Sequence, residues 1–320
     1  MQIQLGTRKS RILKKVQFGC LQESFSLNIT QGCSLGCVYC YARAYPGAPE
    51  KDRILLYPDL PAKLARELDS PSRRLKVDNV CLNTATDCFQ ENPSILKVAY
   101  EILQILLLRG VQVSFLTKGS IPEPFFLLFS RHAQQIKASV GLVSVSEAYR
   151  QVFEPGAASI NQRLENISKL QQAGVEVQVR VDPIIPFITD DQGSITDLLT
   201  ALANRKVSRI SLSYLHLRPR ILEHLRQELP ALEFKLLQSC FWGKEWTNVG
   251  TSTRSKLVPA SIRQQGYSRF TRYAHSLGLR SIICACKNPD IPAQICTTRG
   301  KPSATEKPLG RAKQARLPGV

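Results

Sequence analysis

The 320-residue chain contains no uninterrupted run of eighteen apolar residues, which argues against a membrane-crossing helix of ordinary length. Its first basic residues, Arg8, Lys9 and Arg11, lead into Lys14 and Lys15 rather than an apolar stretch. No secretory leader is therefore expected, and the protein is placed in the cytoplasm with no membrane partner. There is no GxGxxG fingerprint, no phosphate-loop lysine motif and no nucleophile elbow, so dinucleotide, nucleoside-triphosphate and serine-hydrolase chemistry have no support. Histidine is sparse. His132, His216, His224 and His275 are dispersed without ligand spacing, and only His216, just past the last clear strand, is worth testing as a site residue. Acidic residues are short too, 25 against 43 Lys and Arg, giving a formal net charge of +18. That excess favours a polyanionic partner, nucleic acid first. A solvated basic surface is the plain alternative, because part of the excess lies in residues 299–320, which read as a disordered, Pro- and Lys/Arg-rich tail.

Cysteine, by contrast, is plentiful, at ten residues. In a reducing compartment so many thiols favour metal ligation over disulfides. Cys33, Cys37 and Cys40 fall within one stretch, 33–40, reading CSLGCVYC. Three thiolates in one short loop can hold three corners of an iron–sulfur cube and leave its fourth iron open. Gly32 and Gly36 would let the backbone wrap closely around it. The alternative is zinc or three ordinary thiols, but zinc needs a fourth ligand, and no histidine follows within ninety residues.

The loop follows a strand pattern at 25–29, where apolar and polar residues alternate. Further strands are predicted at 77–85, 111–116, 138–145, 175–181 and 207–214. Helices are predicted from a cap at Asp59 and at 93–109, 125–131, 160–173 and 195–204. Such alternation means an α/β fold, a parallel sheet with helices outside. It places the cysteine loop at the C-terminal end of a strand, where parallel barrels keep their active sites. Periodicity alone leaves an open doubly wound sheet in play. Beyond 214 the pattern changes to helices at 219–229, 232–238 and 261–277, an aromatic, turn-rich stretch at 241–256, and a short strand at 279–284.

The spacing of the three cysteines, with Tyr39 directly before the third, resembles the signature of the radical S-adenosylmethionine superfamily. The resemblance implies a partial (β/α)6 TIM-like barrel and a [4Fe–4S] cluster on Cys33, Cys37 and Cys40, with S-adenosyl-L-methionine on the open iron. It implies reductive cleavage to a 5′-deoxyadenosyl radical that abstracts hydrogen, and an electron donor such as a flavodoxin or ferredoxin. Several stretches are similar to the branch that includes spore photoproduct lyase: GCSLGCVYCYAR at 32–43, NTATDCFQE at 83–91, and DPIIP at 182–186. Between the last two, Ser144-Val145-Ser146, Glu154-Pro155-Gly156-Ala157 and Arg163-Leu164 follow in the same order. On that resemblance Tyr39 is expected against the adenine. Thr86, Asp87, Ser144, Ser146 and Arg180 are expected at the amino, ribose and carboxylate groups of the cofactor, although structural salt bridges account equally well for Arg180 and Glu154. The chain departs from the lyase pattern at Thr84, near where a hydrogen-donating cysteine is required. A threonine O–H bond is too strong for that task, so simple thymine-dimer lyase chemistry is not expected. Cys88 is the candidate donor, with Cys81 behind it, and a plain buried thiol is the alternative for Cys88.

A second group, Cys284, Cys286 and Cys296, with Cys240 as a further member, is a candidate for an auxiliary [4Fe–4S] cluster. Structural zinc or no metal at all are the alternatives. The domain reading is a basic arm at 1–23, the barrel at 24–215, an α-rich, cysteine-containing extension at 216–298 and the tail at 299–320. The expected function is a radical enzyme acting on nucleic acid. The other readings are a peptide, protein or small-metabolite substrate, or a non-catalytic metal-binding protein that docks on nucleic acid.

Overall fold

A computed structural model describes residues 1–16, 19–22, 24–45, 47–50, 52–71, 76–249 and 254–294. Its main sheet has eight strands. They are β1 (Lys14–Lys15), β2 (Phe25–Leu27), β3 (Asn79–Leu82), β4 (Gln112–Thr117), β5 (Ile136–Gly141), β6 (Glu176–Ile184), β7 (Arg209–Tyr214) and β8 (Arg280–Ile283). They lie side by side in chain order, with β1 and β8 at the two edges. From β2 to β8 every neighbouring pair is parallel, whereas β1 runs antiparallel to β2. The sequence pattern predicts six parallel strands. The seventh, β8, comes from beyond residue 216 and pairs Ser211 with Ile282 and Leu212 with Ile283. Among the described residues no pairing joins β1 to β8, so the sheet is not closed by hydrogen bonds.

The helices are α1 (Leu60–Leu68), α2 (Pro93–Leu108), α3 (Glu123–Arg131), α4 (Glu147–Phe153), α5 (Ile160–Gln172), α6 (Gln192–Asn204), α7 (Pro219–Glu228), α8 (Ala231–Ser239) and α9 (Ala260–Ser276). Their ends follow local chemistry. Asn92 accepts from the amides of Ser94 and Ile95 at the start of α2, with Pro93 in the first turn, where its missing N–H costs nothing. Ser159 and Gln162 form a reciprocal capping box at α5. In α2, Ile95, Val98, Ala99, Ile102, Leu103 and Leu106 recur at helical spacing and are fully or almost fully buried.

Alternation along the strands sorts the two faces of the sheet. Val80, Leu82, Val113 and Phe115 are buried, and Phe115 packs with Phe89 and Phe129 under α3. Ser26, Cys81 and Ser114 stand in register between them and point to the opposite, inner face. The same register places Ser139, Gln178, Arg180 and Ser211 on that inner face, so much of it is polar.

Two smaller sheets flank the ends. Gln2–Leu5 pairs in parallel with Arg53–Leu56, which in turn pairs with Thr30–Gln31. Two short pieces of the basic N-terminal stretch are therefore bound into sheets, this strand and β1. At the other flank, Thr247–Asn248 pairs with Arg254–Leu257, and that strand pairs with His216–Leu217 directly after β7. This hairpin stands at the C-terminal end of the parallel strands. Among the described residues no helix is long and apolar enough to cross a membrane.

Candidate metal and cofactor site

The cysteine loop leaves the C-terminal end of β2 and is held in shape from outside. At Gly32, φ is +82°, and a Cβ there would lie 2.5 Å from the carbonyl oxygen of Arg53, so only glycine fits. The Ser34 amide donates to Gln90 Oε1 at 2.7 Å, and Gln90 Nε2 donates to Thr30 Oγ1 and the Asp87 carbonyl. The Gly156 amide donates to the Leu35 carbonyl at 3.0 Å, and the Val38 amide to the Phe153 carbonyl at 3.1 Å. Loop residues 34–38 are therefore clamped between the loop after β3 and the turn after α4.

Beneath the loop lies a buried charged cluster. Glu154 and Arg163 are each 1% exposed and meet at 2.5 Å. The Tyr39 hydroxyl donates to Glu154, and Lys118, just past the end of β4, lies 3.8 Å from Glu154 and 5.2 Å over the Tyr39 ring. Burial would raise the Glu154 pKa, but Lys118 and Arg163 hold it below the usual carboxylate range. Burial would lower the Lys118 pKa, yet Glu154 and Cys37 keep it raised and the amine charged. Burial pushes the Cys37 thiol up to about 12, against the pull of Lys118. Cys33 is likewise raised well above normal by burial and then by Asp87. Without a metal these thiols keep their protons, and a bound metal has to displace them. The Lys118 cation then offsets part of the negative charge that ligation leaves behind.

The three loop sulfurs do not come within 4.8 Å of one another as a set. At the end of β3, Thr86 Oγ1 and Asn83 Nδ2 are buried with no hydrogen-bond partner among the described residues. Orphaned buried polar atoms are costly unless a ligand satisfies them. The residues present thus fit a cluster on the loop and a polar small molecule beside it.

Other expected residues are placed differently. Both oxygens of Asp87 are committed: Oδ1 accepts from the Phe89 amide and Thr117, Oδ2 from the Lys118 amide. Its carboxylate ties the ends of β3 and β4 together. The Ser146 hydroxyl caps α4 by accepting from the Tyr149 amide, and Ser144 Oγ accepts from the Ser146 amide. Arg180 donates to Asp182 at 2.7 Å, and Asp182 also accepts from Lys287 at 2.6 Å. Cys88, expected as the hydrogen donor, has no exposed surface, so its thiol is not presented to the space beside the cysteine loop. Tyr39 is buried, with its hydroxyl and one ring face turned toward Glu154 and Lys118.

The second cysteine group also differs. Cys284 and Cys286 lie 3.0 Å apart, and their third partner is Cys20, at 3.7 and 3.2 Å. Cys240 is instead buried at the end of α8, donating to the Leu236 carbonyl. Cys296 lies outside the described residues. Sequence reasoning did not single out Lys118 or Cys20. Lys118 had a usable signal, a cation immediately after a parallel strand. Cys20 had none, since it reaches its partners across 264 residues.

The model of the Radical SAM superfamily matches residues 27–199. An uncharacterized protein of Mycobacterium tuberculosis is 30% identical over 220 residues, 66% of this chain and 64% of that protein. The chain therefore spans less than two thirds of that relative's length. A radical SAM Nalpha-GlyT isomerase of a Pseudomonas phage is 21% identical over 260 residues, 79% of this chain and 51% of its own. In structure, spore photoproduct lyase complexed with dinucleoside spore photoproduct aligns with a TM-score of 0.66 at 16% identity. The alignment covers 88% of this chain and 81% of the lyase, a likeness of fold.

Proposed function

The chain belongs to the radical SAM superfamily, and from that premise we propose that it is a hydrogen-abstracting enzyme whose substrate is a nucleic acid. When bound, a [4Fe–4S] cluster with S-adenosyl-L-methionine on its open iron supplies a 5′-deoxyadenosyl radical after reduction by a flavodoxin- or ferredoxin-type donor. Everything else is the work of this chain. Cys33, Cys37 and Cys40 hold the cluster, and the clamps from Gln90, Gly156 and Phe153 fix their loop. Thr86 Oγ1 and Asn83 Nδ2 offer unsatisfied polar atoms to the cofactor. Buried Lys118 offsets the charge of the thiolates. Ser26, Cys81 and Ser114 line the inner face of the sheet. The observation that carries the chemistry is the clamped three-thiol loop at the C-terminal end of β2.

Nucleic acid is supported by the net charge of +18 and by the stretch after α8 that leads into the Thr247–Asn248/Arg254–Leu257 pairing. There Trp242 is 83% exposed and Trp246 37%, with Lys256 5.1 Å over the Trp246 ring and exposed Lys244 and Arg254 nearby in sequence. Exposed indoles among cations are the elements of a base-stacking platform. The fold is shared with a lyase solved with a dinucleoside lesion.

Anaerobic reconstitution should give about four irons per chain on the loop cysteines, and the reduced protein should convert S-adenosyl-L-methionine to 5′-deoxyadenosine. Deuterium from labelled oligonucleotides should appear in that product. Zinc without iron would overturn the enzyme reading. Label arriving from peptides but not from oligonucleotides would overturn the nucleic-acid reading alone.

A further inference from the structure

The trio of Cys20, Cys284 and Cys286 has a geometry unlike that of the cluster loop. The three sulfurs are 3.0, 3.2 and 3.7 Å apart, all longer than a disulfide bond of about 2.05 Å. Three thiolates on one tetrahedral zinc, with Zn–S near 2.3 Å, have edges of about 3.8 Å. The Cys20–Cys284 edge already matches at 3.7 Å, and the other two edges, at 3.0 and 3.2 Å, would open by under about 1 Å to bring the trio onto such an ion. On a cube each cysteine binds its own iron and points away from the others, so its sulfurs stand wider apart. Among the described residues this is the one set of metal-type side chains gathered so closely.

The turn that carries two of the thiols is braced. Asn288, 2% exposed, donates to the Cys284 carbonyl and accepts from Arg263 at 2.8 Å and from the Tyr267 hydroxyl at 3.1 Å. The amide of Ala285 donates to Gln294, and the amide of Gln294 donates to Ile283. Supported ligands of this kind hold a metal with little rearrangement.

Placement in the sheet gives the site its meaning. Cys20 lies in the connection between β1 and β2, at one edge of the sheet, and Cys284 directly follows β8, the other edge. These edges are not joined by a strand ladder, yet their thiols touch. We propose that Cys20, Cys284 and Cys286 bind a single thiolate-seeking divalent ion, zinc in the first instance, as a clasp between the two edges of the open barrel. Soft thiolate sets select zinc over hard cations. The described residues provide three ligands, and the fourth position of the tetrahedron falls to water or to a ligand outside them. The clasp supplies the lateral closure that hydrogen bonding omits, and it narrows the side of the barrel next to the substrate space.

The test uses the full chain with Cys33, Cys37 and Cys40 all changed to Ala, so that cluster iron cannot confuse the result and failure of the proposed enzyme chemistry is read separately. This protein should retain one equivalent of zinc. Cobalt(II) should replace the zinc and give the visible absorption of a tetrahedral thiolate site. Adding Cys20→Ser, or separately Cys286→Ser, should abolish both signals, and Cys240→Ser should leave them intact. Hydrogen exchange at 280–283 should accelerate in the Cys20→Ser protein. Iron–sulfur absorption at this site in the triple-alanine background would overturn the single-ion proposal. Zinc content unchanged by both Cys20→Ser and Cys286→Ser would overturn the site itself.

Discussion

Glu154 and Arg163 form a fully buried ion pair that is also the footing of the cysteine loop, because Glu154 accepts the hydroxyl of Tyr39 from within that loop. Arg163 further donates to the carbonyls of Gly141 and Ala158, so the pair ties the end of β5 to the start of α5. Removing one partner of a buried pair strands the other charge, at a cost of about 3–5 kcal/mol. Glu154→Gln should lower stability by that amount and reduce the iron retained per chain, read by urea unfolding and iron assay. A loss below about 1 kcal/mol, the value of an exposed pair, would contradict this account.

Gly156 makes a narrower prediction. A Cβ at this position would lie 2.3 Å from the carbonyl oxygen of Ser34 and 3.0 Å from the Leu35 Cα, both backbone atoms of the cysteine loop. Neither can swing aside as a side chain could. Gly156→Ala should cost about 1–3 kcal/mol as overpacking and displace the loop between Cys33 and Cys37. Iron occupancy after reconstitution should fall more steeply than stability does, whereas unchanged occupancy would show that the loop adapts.

The strands and helices of the parallel array were legible because their signals are local: apolar runs, glycines past helix ends such as Gly110 and Gly174, and the βα rhythm. The cysteine loop was legible for the same reason, its three thiols lying within eight residues. What escaped was whatever depends on meeting across the fold. β8 was recognisable as a strand, but nothing in residues 280–283 states that they pair with β7. Asp87 reads as a ligand because it is a carboxylate at a strand end. Its commitment to the amides of Phe89 and Lys118 becomes visible only once β3 and β4 are side by side. Cys20 joins Cys284 and Cys286 only because the sheet curls until its edges approach.

Cys88 tests that distinction directly. Its near neighbour Thr86 carries an unpartnered buried hydroxyl, but the Cys88 side chain is fully enclosed, and burial raises its thiol pKa well above normal. Cys88→Ala should cost about 1 kcal/mol in lost packing and leave both 5′-deoxyadenosine formation and deuterium transfer at parental rates. Label transfer at the parental rate with loss of the closed-shell reduced product would restore Cys88 as the hydrogen donor.

The hairpin after β7 predicts a binding phenotype without a folding one. Trp246 is partly exposed beside Lys256, and base stacking on such a ring contributes about 1–3 kcal/mol. Trp246→Ala should weaken single-stranded oligonucleotide binding by roughly 5- to 150-fold, while Lys256→Met should reduce its salt dependence. An affinity indifferent to both changes would remove the hairpin from the nucleic-acid surface.

The last prediction concerns acid. His216 faces Asp182, Lys287 and Arg263 at the end of β7, and burial, reinforced by Lys287, lowers its pKa from 6.5 to about 3. Between those values the unfolded chain binds a proton that the native chain does not, so stability falls as pH drops from about 6.5 toward 3. Asp182 behaves differently. Burial would raise its pKa, but Lys287 and Arg180 depress it to about 2, so its contribution is complete above 3.8 and is lost only below that. His216→Asn should therefore flatten the decline in urea midpoint between pH 6.5 and 4 relative to the parent chain. Asp182→Asn should lower the midpoint even at neutral pH, because Lys287 and Arg180 then lose the carboxylate they share. If the His216→Asn protein declines as steeply as the parent over that range, His216 is not the group that makes the fold acid-sensitive there.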